Sequence, residues 1–401
     1  MPQRSNLFII CILGALSIIS PFAIDMCLPA YLQMAKDFGV QSTTISLTLS
    51  SYFIGLASGQ VVYGPLLDRF GRKIPLCVGL VIFILASIGC AMAPDVSTLI
   101  VFRFIQALGG CAAQVASLAM VRDFFPVNQS AKILSRLFLF ISVSPLLAPT
   151  IGGAIMAWVS WRAVFGIMMV IVALILLLVW RLLPEAHKPD KTISLKPGPI
   201  FLEYLAIIKN ARFATYALAG AFSFAGLFTY VAGSPIIFME GFHLSAKTYS
   251  MIFALLASGF IGASQINVLL LKKFTSAQLF YGFLILQVIA ALIFVTGVWA
   301  NWYGLTATLV LFFISLSCAG ITYPNAAAMA MAPFTKNAGS AAALLGFLQL
   351  GVGAVISSGI SASTSHGSLP IIAILAVTSC LGLIVLMIGQ KKAASKACAH
   401  E

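Results

Sequence analysis

Apolar runs of 18 or more residues recur along this chain, with short polar segments between them. Each run is long enough to cross a bilayer as a helix. Twelve spans are predicted, at roughly 7–30, 43–65, 74–93, 97–120, 132–157, 162–182, 212–239, 247–271, 276–298, 302–324, 337–360 and 368–390. The connections are short except near 183–211, which carries Pro184, Pro189, Pro197 and Pro199 among mixed charges. That segment reads as a linker between two halves of six spans. The expected organisation is an N-terminal half at 1–183, a linker at 184–211, a C-terminal half at 212–392 and a tail at 393–401. The fold class is an all-α membrane protein. Arg4 before an apolar stretch is reminiscent of a signal peptide. The stretch runs past signal-peptide length and a second span follows, so it reads as an uncleaved first helix.

Composition agrees with the pattern. Of 401 residues, 61% are hydrophobic and 8% charged, against about 25% charged in a soluble domain. The net charge of +13 does not point to nucleic acid, because topology explains it. With the N-terminus inside, the cytoplasmic segments hold 19 of the 23 Lys and Arg residues, and the outer loops hold Lys36, Arg162 and Lys247. This asymmetry predicts both termini on the cytoplasmic side. The eight cysteines show no Cys-x-x-Cys spacing and read as small apolar fillers.

The same audit isolates the candidate chemistry. Asp37, Asp95 and Glu240 fall outside, while Asp68, Asp123, Glu185, Asp190, Glu203 and Glu401 fall at the inner face. All four histidines lie in loops or the tail. Only Asp25 and Arg103 are left within spans. A charge at membrane depth costs at least about 2.5–3.5 kcal/mol and usually faces a cavity or a pathway. Burial disfavours an ionised carboxylate, so Asp25 is a candidate for proton exchange or for meeting a cationic substrate. The bland alternative is a helix end near outer water. Pro21 and Pro29 flank the acid, and proline inside a span frees backbone carbonyls, which favours a cavity. Arg103, in VFRFIQALGG, has three open readings: it tunes Asp25, it gates proton release, or it holds backbone carbonyls of a kinked neighbour. Gly109 and Gly110 allow close helix packing there.

Between the second and third spans stands GPLLDRFGRK, residues 64–73. Gly64–Pro65 and Gly71 read as breakers around Asp68, Arg69, Arg72 and Lys73. Such a charged tight loop can lock helix ends through charge-assisted hydrogen bonds. It resembles the signature loop of the major facilitator superfamily. RFIQALGG is similar to the arginine-bearing motif of that superfamily's proton-coupled members. SPLLAPTIGG, residues 144–153, looks like the proline–glycine motif of its antiporters, with Pro145, Pro149, Gly152 and Gly153 in place. Ala148 replaces a usual glycine, so a milder kink is expected. IDMCLP at 24–29, YVAGSPIIF at 230–238 and APFTKNAGSAAALLGFLQ at 332–349 resemble the Bcr/CflA group of drug/proton antiporters. The second half keeps only the basic pair of the signature loop, in INVLLLKKFTS at 266–276.

The resemblance implies two six-helix bundles around a cavity and alternating access by rocking of the halves. It implies proton-coupled export of small amphipathic molecules, with Asp25 as proton or substrate site. It also implies a lock in which Asp68, Arg72 and a partner such as Asp123 clamp one state. Ser17 stands where related exporters carry a second acid, so a one-acid scheme is expected. Polar and aromatic residues within spans are candidate cavity contacts: Tyr52, Gln60, Gln114, Phe224, Phe228, Tyr230, Gln265, Asn267, Tyr323, Asn325 and Gln349. No metal or other cofactor is expected. The expected partners are a small-molecule substrate, protons and the bilayer of a bacterial inner membrane, and the expected state is a monomer. An exporter dedicated to one metabolite and an uncoupled facilitator remain as alternatives. Catalysis is not expected, because one acid and no histidine within the spans leave no acid–base pair.

Overall fold

The computed structural model describes residues 6–125, 127–185, 189–190, 197–334, 338–362 and 367–398. Arg4, His187, Lys188, Lys191, Lys196, Lys336, His366, His400 and Glu401 lie outside them, as do residues 335–337 of the 332–349 stretch. The described residues are helical with short turns and contain no strand.

In chain order the helices are α1 Asn6–Asp25, α2 Tyr31–Phe38, α3 Ser42–Phe70, α4 Lys73–Ala91, α5 Val96–Phe124, α6 Val127–Trp158 and α7 Trp161–Leu182. Then come α8 Pro197–Ile208, α9 Ala211–Pro235, α10 Ala246–Leu270, α11 Ser276–Trp299, α12 Leu305–Met331, α13 Ala338–Ala362 and α14 Leu369–Cys398. Eleven segments are long and apolar enough to cross a membrane, and α6 carries a shorter apolar stretch, Val143–Trp158. Together they are the twelve expected spans, in the expected order. The chain forms two compact units: Met1–Lys196 with Ala246–Ala254, and Pro197–Ser245 with Leu255–Glu401.

Three local features differ from the sequence expectation. The first span does not end near residue 30. It breaks after Asp25, passes through a single 3-10 turn at Leu28–Ala30 and resumes as α2 to Phe38. The break follows from Pro29, which has no N–H for an α-helical bond and sits in that turn. Gly39 (φ +65°) then ends α2, its N–H bonding Lys36 O while Val40 N–H reaches Ala35 O. The second difference concerns Gly64 and Pro65, which do not break α3. The helix continues to Phe70, and a Cβ at Gly64 would meet nothing within 4 Å. A proline removes one helical hydrogen bond, which a long packed helix tolerates, so the loop shrinks to Gly71–Arg72. Third, the linker is not wholly irregular. PGPIFLEYLAII forms α8, with Pro197 in the first turn where a missing N–H costs nothing.

Apolar side chains gain little by leaving lipid for a helix interface, so close packing and polar ties hold these helices together. In the first unit, Ser51 Oγ donates to Ile100 O at 2.7 Å, tying α3 to α5. A Cβ at Gly109 would stand 2.5 Å from Gly79 O, so α4 and α5 touch backbone to backbone there. In the second unit, Phe213 and Ala217 of α9 pack with Ala330 of α12, Ala341 and Leu344 of α13, and Ile207 of α8.

Candidate functional site

The break in the first span sets the site of the first unit. Asp25 is the last residue of α1 and is 6% exposed. Its carboxylate has no ion-pair or hydrogen-bond partner among the described residues. The four last carbonyls of a helix lack intrahelical donors, and Arg103 of α5 supplies one. Its Nη1 donates to Ala23 O at 3.1 Å and to Gln106 Oε1 at 2.7 Å. Gln106 Nε2 donates onward to Ser87 Oγ of α4 at 2.8 Å. The guanidinium lies over the Tyr52 ring, 4.2 Å from its centroid, and is 2% exposed. Arg103 therefore ties α5, α4, α3 and the end of α1, which is the carbonyl-holding reading of the three. It does not form an ion pair with Asp25.

The other side of the break is held by α6. A Cβ at Gly152 would stand 2.3 Å from Met26 O, the carbonyl just after Asp25. Only glycine lets α6 approach that backbone so closely. Pro149 O accepts from Ser250 Oγ at 2.8 Å. Pro145 and Pro149 sit inside an α6 that remains continuous. Ser17 is buried, and its hydroxyl meets Ser117 Oγ at 2.9 Å, joining α1 to α5.

A second cluster forms where α3, α4 and α5 end. Arg72 is the N-cap residue of α4. Its Nη1 donates to Asp68 Oδ1 and its Nε to Asp123 Oδ2 at 2.8 Å. Gly71 holds φ at +82°, a conformation that favours glycine. The sequence reading missed Glu185. Its two carboxylate oxygens accept from Arg72 N–H at 2.8 Å and Lys73 N–H at 3.1 Å. An acid is favoured at a helix N-terminus by the free N–H groups and the dipole. Asp190 N–H also donates to Asp68 O at 3.2 Å, so the segment after α7 folds back on this loop. The only advance signal was an acid three residues beyond the end of a span. Arg69 lies with its guanidinium 5.9 Å from the Phe70 ring centroid.

Away from this cluster, Asp37 Oδ2 accepts from Trp161 Nε1 at 2.8 Å and pairs with Arg162 at 3.6 Å, tying α2 to the start of α7.

The remaining cavity candidates separate by burial. Tyr52 is wholly buried beneath Arg103, whereas Gln114 is half-buried. In the second unit Tyr230 packs on Phe312 (5.4 Å between centroids), and Asn325 Nδ2 donates to Asn267 Oδ1 at 2.6 Å. Tyr230 thus packs its ring within the unit, and the two asparagines join α10 to α12. Phe228 lies against Gly353 of α13, and Gln349 is buried. Phe224, half-buried, stacks on Tyr323 at 4.5 Å and meets Phe228 edge-on at 5.1 Å. A neutral polar knot lies in the same unit: Ser223 Oγ bonds Gln287 Oε1 and Thr322 Oγ1, each at 2.7 Å.

Residues 13–358 match the family model described as Major Facilitator Superfamily. The chain belongs to this superfamily. It is similar to the bicyclomycin resistance protein homolog of Haemophilus influenzae, with 32% identity covering 89% of each chain. It is also similar to the multidrug resistance protein MdtL of Klebsiella pneumoniae, with 31% identity over 86% of this chain and 85% of the relative. Among solved structures, the D-xylose-proton symporter matches with a TM-score of 0.76 at 14% identity, covering 96% of this chain and 97% of that one. The last is a likeness of fold alone. The stretch that resembles the superfamily's signature loop forms the Arg72 cluster, and the stretch that resembles its arginine-bearing motif lies in α5.

Proposed function

We propose that the protein exports small amphipathic molecules, several drugs among them, in exchange for protons by alternating access, with Asp25 as the coupling acid. One observation carries the reading: a buried carboxylate without a fixed counter-charge stands at a break in the first span. Such a group is free to exchange protons and to meet a cation. The similarity to proteins named for bicyclomycin and multidrug resistance supports drugs as cargo. Arg103 positions the end of α1 that presents the acid. Asp68, Arg69, Gly71, Arg72 and Asp123 form the lock that opens between states, and Glu185 joins them. Gln114 in the first unit supplies an amide contact, and Phe224, Phe228 and Tyr323 in the second supply aromatic surface for ring-bearing compounds. The protein works as a monomer in a bacterial inner membrane, both termini cytoplasmic, without catalysis. Residues 184–211 serve as the linker between the halves and 393–401 as a tail.

The test uses purified protein in liposomes with a trapped pH dye and a panel of lipophilic cations and neutral drugs. Substrate should evoke proton movement in wild type and not in Asp25→Asn, while substrate binding persists in the variant. Equal proton movement in both would remove Asp25 from the coupling and sink the proposal.

A further inference from the structure

A groove of about 550 Å³ runs between α4 and α7, well away from Asp25. Cys77, Val78 and Val81 line one wall, and Ala173, Leu177 and Trp180 the other. Every one is uncharged, and Val78, Val81, Leu177 and Trp180 are exposed. On α7 the lining runs from 173 to 180, about 10 Å of helix, against about 15 Å for one leaflet of hydrocarbon. Two helices in contact lie 8–10 Å apart, so the cleft between them admits a chain and not another helix.

One end of the groove is basic. Lys73 Nζ donates to Trp180 O at 2.8 Å and lies 5.9 Å from the Trp180 ring centroid. That bond uses one of three ammonium donors. Arg181 is exposed and makes no hydrogen bond or ion pair among the described residues. The nearby acid, Glu185, accepts from the N–H groups of Arg72 and Lys73, and its single negative charge against Lys73 and Arg181 leaves the mouth net positive. Trp180 itself is 64% exposed, as suits a ring at headgroup level. Basic pockets between membrane helices bind anionic headgroups.

We propose that this groove is a binding site for an anionic phospholipid, one acyl chain lying between α4 and α7 and the phosphate resting on Lys73 and Arg181. The occupant is a lipid because the walls are apolar and chain-wide while the net charge at the mouth is positive.

The full chain is reconstituted in vesicles of dibrominated phosphatidylcholine, whose bromines quench tryptophan, and unbrominated phosphatidylglycerol is titrated in. The share of quenching due to Trp180 is the difference between the protein and its Trp180→Phe variant. Phosphatidylglycerol should relieve that share at a lower mole fraction than it relieves the other tryptophans, by about fivefold for each basic residue engaged. Lys73→Gln with Arg181→Gln should abolish the preference, and Arg181→Gln alone should remove part of it. Three results would overturn the site: equal exchange of the two lipids at Trp180, a preference that survives the double variant, or a Trp180 that bromine never quenches. The last is what a second copy of the chain covering the groove would produce.

Discussion

Glu185→Gln isolates one contact that the sequence did not disclose. The carboxylate accepts from two backbone N–H groups, at 2.8 and 3.1 Å. A hydrogen bond to a charged group contributes about 1.5–3 kcal/mol and a neutral one about 0.5–1.5. Glu185 is exposed, so the low end applies to each, about 3 kcal/mol for the pair. Glutamine keeps one carbonyl acceptor and no charge, retaining about 1 kcal/mol. The loss is about 2 kcal/mol, which raises the opening constant of the contact about thirtyfold. Hydrogen exchange on the protein in nanodiscs reads this directly. Peptides covering Arg72 and Lys73 should exchange faster in the variant, and so should those covering Asp190, whose N–H bonds Asp68 O. Peptides from α9 to α14 should not change. If exchange at 72–73 is unaltered while Glu185→Ala is equally silent, the carboxylate does not cap α4 and its place in the lock is wrong.

Other contacts give sharper signs. Gly152→Ala puts a Cβ 2.3 Å from the rigid Met26 carbonyl; it should lower thermal stability by about 1–3 kcal/mol, whereas Gly166→Ala, with nothing within 4 Å, should not. Arg72→Leu leaves Asp68 and Asp123 without their shared cation and should cost about 3–5 kcal/mol in a urea or thermal series, less for the half-exposed Asp68 than for a fully buried pair. Asn325→Leu strands the buried Asn267 amide at about 1–3 kcal/mol, and adding Asn267→Leu should recover most of it; a double variant as unstable as the single one would mean that the pair does not act as a unit.

What was legible followed one physical rule, that lipid exposes no unsatisfied backbone, so apolar runs of span length become helices. All twelve were read that way. The misreadings came from proline. Gly64–Pro65 looked like a stop, yet a helix loses only one bond there and α3 runs on to Phe70. The prolines near 197 looked like coil, yet proline is at home in a first helical turn and α8 starts there. Pro29 was read correctly as disruptive, but not that the chain would turn helical again as YLQMAKDF. Glu185 was illegible for another reason. Its partners are backbone N–H groups 113 and 112 residues away, and a backbone donor leaves no mark in the sequence. For Arg103 three readings stood open in the sequence, and the 3.1 Å contact to Ala23 O is the geometry that the carbonyl-holding one requires.

The two units solve one problem differently, and the difference bears on the proposed coupling. In each, a buried glutamine joins neighbouring helices: Gln106 links α5 to Ser87 of α4, and Gln287 links α11 to Ser223 of α9. In the first unit that glutamine also receives Arg103, which reaches the end of α1 beside Asp25. In the second, the knot ends on Thr322 and stays neutral. Among the described residues the buried charged side chains are Asp25, Arg72 and Arg103, all in the first unit. A buried charge is costly and is kept where it works, which is why the proposed proton exchange is assigned to the first unit's helices. The second unit offers stacked rings instead, Phe224 on Tyr323 and Phe228 edge-on. Rings accept varied apolar shapes without demanding matched hydrogen bonds. Removing a ring, as in Phe224→Ala, should therefore shift which compounds are carried while leaving the proton coupling of those still carried intact. A ring variant that uncoupled transport for every compound would contradict this division.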